Sequence, residues 1–338
     1  MKIILAPDSF KECLSAAQVA QAMAQAVQEA CPWAQVVSMP LADGGEGTLD
    51  VLAPALGARI CETTVSDPLG RPVPARFGVA GDTAILEVAQ ACGLSLLSPE
   101  ERNPLIASSR GVGELLMAAY GNGCRHFLIG LGGSAICDGG AGMMTVPGIR
   151  DLAGISMELL CDVNAPFVGP TGAARVFAPQ KGASPEDVEV LEERMVRWAA
   201  LMWEETGVDV SHLPGAGAAG GLGGALMAYF GAGRVSGIQQ VLNLYHFSEV
   251  AHGASLIITG EGRSDAQTLQ GKVPFGVLQN AKGTPVALLS GRIEDRPALE
   301  SAGFHPVVEV SPRDMPLREA LTPSVALCNI QSAVKSLF

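Results

Sequence analysis

Four short stretches of this 338-residue chain gather carboxylates, hydroxyls and cations among glycines. They carry Asp8, Ser9 and Lys11; Asp43 and Glu46; Ser134 and Asp138; and Glu261, Arg263, Asp265 and Lys272. The pattern Asp-Gly-Gly-x-Gly occurs twice, at 43–47 and at 138–142. Taken singly, each carboxylate is more often a helix cap or a turn residue than a reactive group. Their recurrence behind strand-like apolar runs points instead to a site built on strand ends. Acids on flexible loops, a few cations and N–H groups left open by glycine are what phosphoryl transfer from a magnesium nucleotide requires. The metal offsets phosphate charge, Lys or N–H groups hold the oxygens, and a carboxylate takes the proton of the attacking hydroxyl.

The richest stretch is 124–142. Phe127–Ile129 form a short apolar run that predicts a buried strand. The loop behind it holds Gly130, Gly132, Gly133, Gly139, Gly140 and Gly142, with Ser134 and Asp138 as its polar side chains. Backbone this free of Cβ atoms can bring several N–H groups to an anion, so Gly132, Gly133 and Ser134 are candidates to hold nucleotide phosphate. Asp138 would then face the metal or a substrate hydroxyl. Cys137 sits beside it, but no His follows at a spacing that would make a catalytic pair.

The elements that must position these groups alternate between strand and helix. Lys2–Leu5 predict a first strand, and Ser15 with Gln18 predicts a capping box opening a helix that carries Val19, Met23 and Val27 on one face. A second strand is expected at about Val36–Leu41. From Thr63 to Val88 the alternation and the turns at Asp67-Pro68-Leu69-Gly70 and Gly81-Asp82 predict an antiparallel meander. That pattern is foreign to a parallel sheet and marks the start of a second domain. A helix over Gly113–Tyr120 precedes the 127–129 strand, and Glu158–Cys161 predict another strand. Ser184-Pro185-Glu186-Asp187 is a strong helix start, followed by the core stripe Val188, Leu191, Met195, Trp198 and Met202. Strands at Leu256–Thr259, Val286–Leu289 and Val307–Val310 close the chain, with Gly260–Asp265 as a loop behind the first of them. The expected class is α/β, with residues 1–62 and 246–338 as one domain and 63–245 as an α/β domain inserted into it.

Composition narrows the functions. A formal net charge of -12 with no run of Lys or Arg argues against nucleic acid and anionic membrane as partners. Eight scattered cysteines without a Cys-x-x-Cys pair predict reduced thiols and a cytoplasmic location. The opening Met1–Asp8 is too short and too soon interrupted for a signal peptide. Residues 213–233 carry no charge, but their glycines and Pro214 argue against a membrane helix. Gly215, Gly217 and Gly220 formally fit a dinucleotide fingerprint, yet no strand precedes them and the first acid downstream is Glu249. Close packing or a second anion-facing loop is the expected role. No Walker A motif is present, since Gly271-Lys272 is followed by Val273.

These loops resemble the bacterial glycerate kinase family of the first type. The resemblance rests on Ala6–Lys11, Ala42–Thr48, Gly132–Ala135 with Asp138–Gly142, Cys161–Val163, Pro179–Ala183, Pro214–Gly221, and Ile258–Arg263 with Asp265, Gln267-Thr268 and Gly271-Lys272. It covers nearly the whole chain in order. It implies ATP- and Mg2+-dependent phosphorylation of D-glycerate, favouring 2-phosphoglycerate over 3-phosphoglycerate. It also implies two domains, a Rossmann/flavodoxin-like parallel-sheet domain with an inserted α/β domain, and an active-site cleft between them. Within that scheme Asp265, Lys11 and Asp43 are expected as catalytic groups, with Asp265 favoured as base. Lys272 and Asp8 join Gly132, Gly133 and Ser134 at the nucleotide. Ser9, Glu46 and Arg263 are expected at the substrate, and Asp138 and Glu261 at the metal. Three departures stand out: a much shorter segment between Met144 and Met157, Cys at 137 where the family usually has Asn, and shortening between Gln279 and Thr284 and at the C-terminus. A homodimer is one expected assembly. A non-catalytic sugar-acid sensor, or a kinase of another short hydroxy acid, are the rival readings.

Overall fold

The computed structural model describes every residue except Glu12. Eleven strands follow one another along the chain: β1 Lys2–Pro7, β2 Gln35–Ser38, β3 Arg59–Ser66, β4 Pro72–Ala80, β5 Thr83–Glu87, β6 His126–Gly130, β7 Ser156–Leu160, β8 Gly233–Val235, β9 Leu256–Ser264, β10 Val286–Ile293 and β11 Val307–Glu309. They form two sheets in two compact units, Met1–Asp43 with Ile238–Phe338, and Gly44–Gly237.

The first unit holds a five-stranded sheet in the order β11-β10-β9-β1-β2, parallel throughout. In the unit's own sequence that is the flavodoxin-like order 2-1-3-4-5. Ile3, Ile4 and Leu5 are all buried, as a strand covered on both faces demands. Over one face lies the helix Ala16–Ala30, opened by the expected Ser15–Gln18 capping box, with Val19, Met23 and Val27 buried beside Ile330 and Val334 of the helix Pro323–Lys335.

The second unit holds a six-stranded sheet in the order β3-β4-β5-β6-β7-β8. β3, β4 and β5 pair antiparallel, as the meander predicted, but β5 then pairs parallel with β6, so the meander is the edge of a mixed sheet. Its core contains Phe77, Phe127, Phe167 and the inward face of the helix Pro185–Thr206, where Val188, Leu191, Met195 and Met202 are buried.

The unit boundaries differ from those expected, falling at 43/44 and 237/238 instead of 62/63 and 245/246. Residues 44–62 belong with the second sheet. β3 pairs along its length with β4, and the helix Thr48–Leu56 is anchored where buried Glu87 accepts the Leu49 N–H at 2.6 Å. That anchor lies 38 residues away in sequence. At the other end Ile238 packs against Gly276, and Asn280 Nδ2 donates to Gln239 at 3.1 Å, which ties 238–245 to the first unit.

A second correction concerns Gly260–Ser264, expected as loop. These residues continue β9, with Gly260 opposite Leu289 and Ser264 opposite Ile293 of β10. A Cβ on Gly260 would stand 2.2 Å from the Leu289 carbonyl oxygen, so glycine is what lets the strands run together here. Residues 143–151 contain two short 3-10 turns, Met143–Thr145 and Ile149–Asp151. Among the described residues no helix is long and apolar enough to cross a membrane. All eight cysteines are free, five of them buried.

Candidate active site

The strand order of the first unit reverses between β1 and β9, and in open parallel sheets ligands bind beyond the carboxyl ends of the strands at such a point. Asp8 and Asp265 stand there as the first residues after β1 and β9, and Glu261 lies in the last half-length of β9. The Asp8 N–H donates to the Gly260 carbonyl at 2.8 Å, which fixes Asp8 to the neighbouring strand. Its carboxylate is buried and accepts the Ser9 N–H at 2.7 Å. Burial first, then the charges of Asp43 and Glu261, hold the Asp8 carboxyl well above the usual carboxylate range against the pull of the Ser9 N–H and Lys11.

Glu261 is also buried and is surrounded by hydroxyls. Its Oε1 accepts from Thr268 Oγ1 at 2.6 Å and from Ser264 Oγ at 2.9 Å, and Ser264 in turn shares a hydrogen bond with Ser290. Lys272 Nζ lies 3.4 Å from Glu261 Oε2 and 3.8 Å from Asp265 Oδ1, linking the two acids. Burial raises the proton affinity of Glu261, and Lys272 is the largest influence opposing it. Asp265 accepts the Gln267 N–H at 2.8 Å on the same oxygen that faces Lys272. Arg263 points outward, with its guanidinium 2.7 Å from Glu294 and 3.8 Å from Asp265. Of the three candidate cations, Lys272 is therefore the one drawn in among the acids. Lys11 is exposed, close enough in charge to lower the proton affinity of Asp8. Ser9 and Asp43 are half-buried.

In the second unit the loop after β6 has a different character. Leu94 N–H donates to the Gly133 carbonyl at 2.9 Å and Ala135 N–H to that of Cys92 at 2.7 Å, pinning Ser134 between them. Gly133 is exposed with φ +74°, and its N–H and that of Ser134 donate to nothing among the described residues. Behind Ser134 lies Lys181, buried, which donates to Ser134 Oγ at 3.0 Å and to the Ile136 carbonyl at 2.6 Å. Burial lowers its proton affinity, to a pKa of about 8. Sequence reasoning gave Lys181 no role. Its one signal was its place in the Pro179–Ala183 stretch that carries the family resemblance, as Thr268 had in Gln267-Thr268, while the buried hydroxyls Ser264 and Ser290 had none.

Asp138, expected at the metal, is tied by its carboxylate to the surrounding backbone and to Ser109. Its Oδ2 accepts from Ser109 N at 2.7 Å, Ser109 Oγ at 2.8 Å and Gly142 N at 3.0 Å, and Oδ1 accepts from Gly140 N at 3.1 Å. Four donors make it the organiser of its own loop, much as a capping residue organises a helix end. Glu46 is exposed. The 214–224 glycines pack behind this loop: Gly139 N–H donates to the Gly220 carbonyl at 3.0 Å, and a Cβ on Gly220 would meet the Ile136 oxygen at 2.0 Å. A cavity of about 200 Å³ lies under the loop, lined by Cys137, Asp138, Leu105, Leu191, Met195 and Trp198. Among the described residues, no group of three or more His, Cys, Asp or Glu is arranged to hold a metal.

Comparison with known proteins gives the family. The model of the glycerate kinase family matches residues 3–152 and 149–338, two stretches that meet between Met144 and Met157. A glycerate 2-kinase of Escherichia coli (strain K12) is 42% identical, covering 87% of this chain and 86% of that protein. A glycerate kinase of Bacillus subtilis (strain 168) is 41% identical, covering 95% and 93%. The alignment with a Bacillus cereus glycerate kinase takes 371 positions to span this whole chain, so the relative has residues that are missing here. The crystal structure of a putative glycerate kinase 2 from Salmonella typhimurium LT2 superposes with a TM-score of 0.83 at 39% identity, covering 100% of this chain and 97% of that one. With acids at a flavodoxin-like switch point and a glycine-rich loop on a second unit, the molecule is an α/β kinase. It belongs to the glycerate kinase family.

Proposed function

We propose that this chain transfers the terminal phosphoryl group of ATP to D-glycerate and yields 2-phosphoglycerate. The observation that carries the reading is the cluster of Asp8, Glu261, Asp265 and Lys272 at the β1/β9 switch point. The relatives' names supply the acceptor, and the name of the Escherichia coli protein favours the 2-hydroxyl. Asp265 takes the hydroxyl proton. It sits at the strand end with Lys272 beside it, a cation that holds the carboxylate in place to accept. Lys272 holds Glu261 and Asp265 in register, and Lys11 faces the anionic reactants from the loop after β1. On the second unit, the Gly132–Ser134 loop holds an anion, phosphate or the substrate carboxylate.

Magnesium fits this donor set. Asp8 and Asp43 are hard oxygen donors whose mutual repulsion raises the proton affinity of Asp8, and a divalent cation relieves such repulsion. They are the residues we assign to hold it, in place of Asp138 and Glu261. When bound, it would neutralise charge on the phosphates. The free thiols support a reducing compartment, the cytoplasm. Incubation with ATP, magnesium and D-glycerate, followed for ADP and by NMR of the product, tests the reading. No ADP above the rate without glycerate would overturn it, and 3-phosphoglycerate as the product would overturn the choice of hydroxyl.

A further inference from the structure

Lys181 is a buried ammonium whose two hydrogen-bond acceptors, Ser134 Oγ and the Ile136 carbonyl, are both neutral. Lys, when buried, is nearly always paired with an acid. Asp138 is nearby in charge, but its carboxylate is turned to Ser109, Gly140 and Gly142. The positive charge is thus uncompensated by any contact in its own surroundings. The direction of the Ser134 bond adds to this. Because Lys181 donates to Ser134 Oγ, the serine's own hydrogen must be aimed away from the lysine. The Gly133 and Ser134 N–H groups have no acceptor among the described residues, and Gly133 is exposed. Three donors therefore belong to one short stretch, with a cation held behind it.

We propose that Lys181 is the positioning charge of an anion site formed by the Gly133 N–H, the Ser134 N–H and the Ser134 hydroxyl. The anion is the phosphoryl group of the nucleotide or the carboxylate of the acid substrate, and this identification of the ligand rests on the kinase reading above. Lys181 acts through Ser134. It fixes the hydroxyl as a donor and supplies the charge that the bound anion balances.

Titration calorimetry with ATP and, separately, with D-glycerate tests this on the wild type, Lys181→Met, Lys181→Arg and Ser134→Ala. Lys181→Met and Ser134→Ala should each weaken the same one ligand roughly tenfold or more, as expected for a lost charge-assisted contact, and leave the other within about twofold. Loss with ATP identifies the anion as phosphoryl, and loss with D-glycerate identifies it as carboxylate. The pH profile separates a charge role from a packing role. Lys181 faces Cys92, Cys137 and Asp138; burial raises both thiols, that of Cys137 to about 11, so the lysine is the one to change charge near pH 8. Wild-type affinity for that ligand should fall roughly tenfold between pH 7 and 9.5. Lys181→Arg, which stays charged, should bind with a flat profile over the same range. Wild-type affinity for both ligands in Lys181→Met overturns the proposal. Should that variant fail to fold, unchanged affinity in Ser134→Ala overturns it. A wild type that binds but never forms ADP sinks the kinase reading and leaves the anion site standing.

Discussion

Replacing Lys181 by Met should change how stability depends on pH, by an amount the structure sets. Burial brings the lysine from 10.5 to a pKa of about 8. A tenfold change in proton affinity corresponds to about 1.4 kcal/mol, so keeping this ammonium inside the folded chain costs roughly 3 kcal/mol wherever both states are charged. A lysine whose folded pKa is lowered binds fewer protons folded than unfolded between those two values, so stability rises with pH there. The penalty is complete below pH 8 and is relieved as pH climbs towards 10.5. Met has a similar unbranched shape and carries no proton. At pH 7 its lack of charge is offset by two lost hydrogen bonds of about 1 kcal/mol each, leaving the variant near wild-type stability. From pH 7 to 10.5 the wild type should gain roughly 3 kcal/mol relative to the variant. Urea unfolding followed by tryptophan fluorescence measures this, since Trp198 donates to the Gly139 carbonyl in the adjoining loop. Cysteine ionisation is common to both proteins and cancels in the difference. A difference that stays constant within about 0.5 kcal/mol across this range, or that grows in favour of Met, would refute the account of Lys181 as a buried charge.

Three further outcomes are expected. Glu261→Gln and Lys272→Met should each lower kcat/KM at least tenfold or so, and the double variant should lose far less than the product of the two, because each single change strands the other partner; strict multiplicativity would separate them. Asp8 and Glu261 are both held above their ordinary values, so the acid limb of activity should lie above the ordinary carboxylate range. In the same window stability should rise on acidification, since the folded state binds these protons more tightly, and Asp8→Asn should remove its share of both effects; a limb unmoved by Asp8→Asn would free Asp8 of the role. Asp138→Asn should lower stability by about 2–4 kcal/mol through the donors it leaves unpaired, with no change in magnesium requirement. A raised magnesium requirement at unchanged melting temperature would return Asp138 to the metal.

The sequence by itself determined the local elements and the residues worth watching. The Ser15–Gln18 and Ser184–Asp187 boxes, the apolar runs of β1, β6, β9 and β10, and the antiparallel pairing of β3 to β5 all follow from interactions among near neighbours. The acids of the first unit were likewise legible, because strand, loop and carboxylate adjoin in the chain. Only the tertiary structure decided what depends on distant partners. It assigned residues 44–62 to the second sheet through Glu87 and β4, continued β9 through Gly260–Ser264 against β10, and turned Asp138 inward to Ser109. It also buried Lys181 under Ser134, 47 residues earlier in the chain. A hydrogen bond between such positions leaves no periodicity and no spacing to read; it exists only once folding has excluded water and made the few remaining donors and acceptors meet.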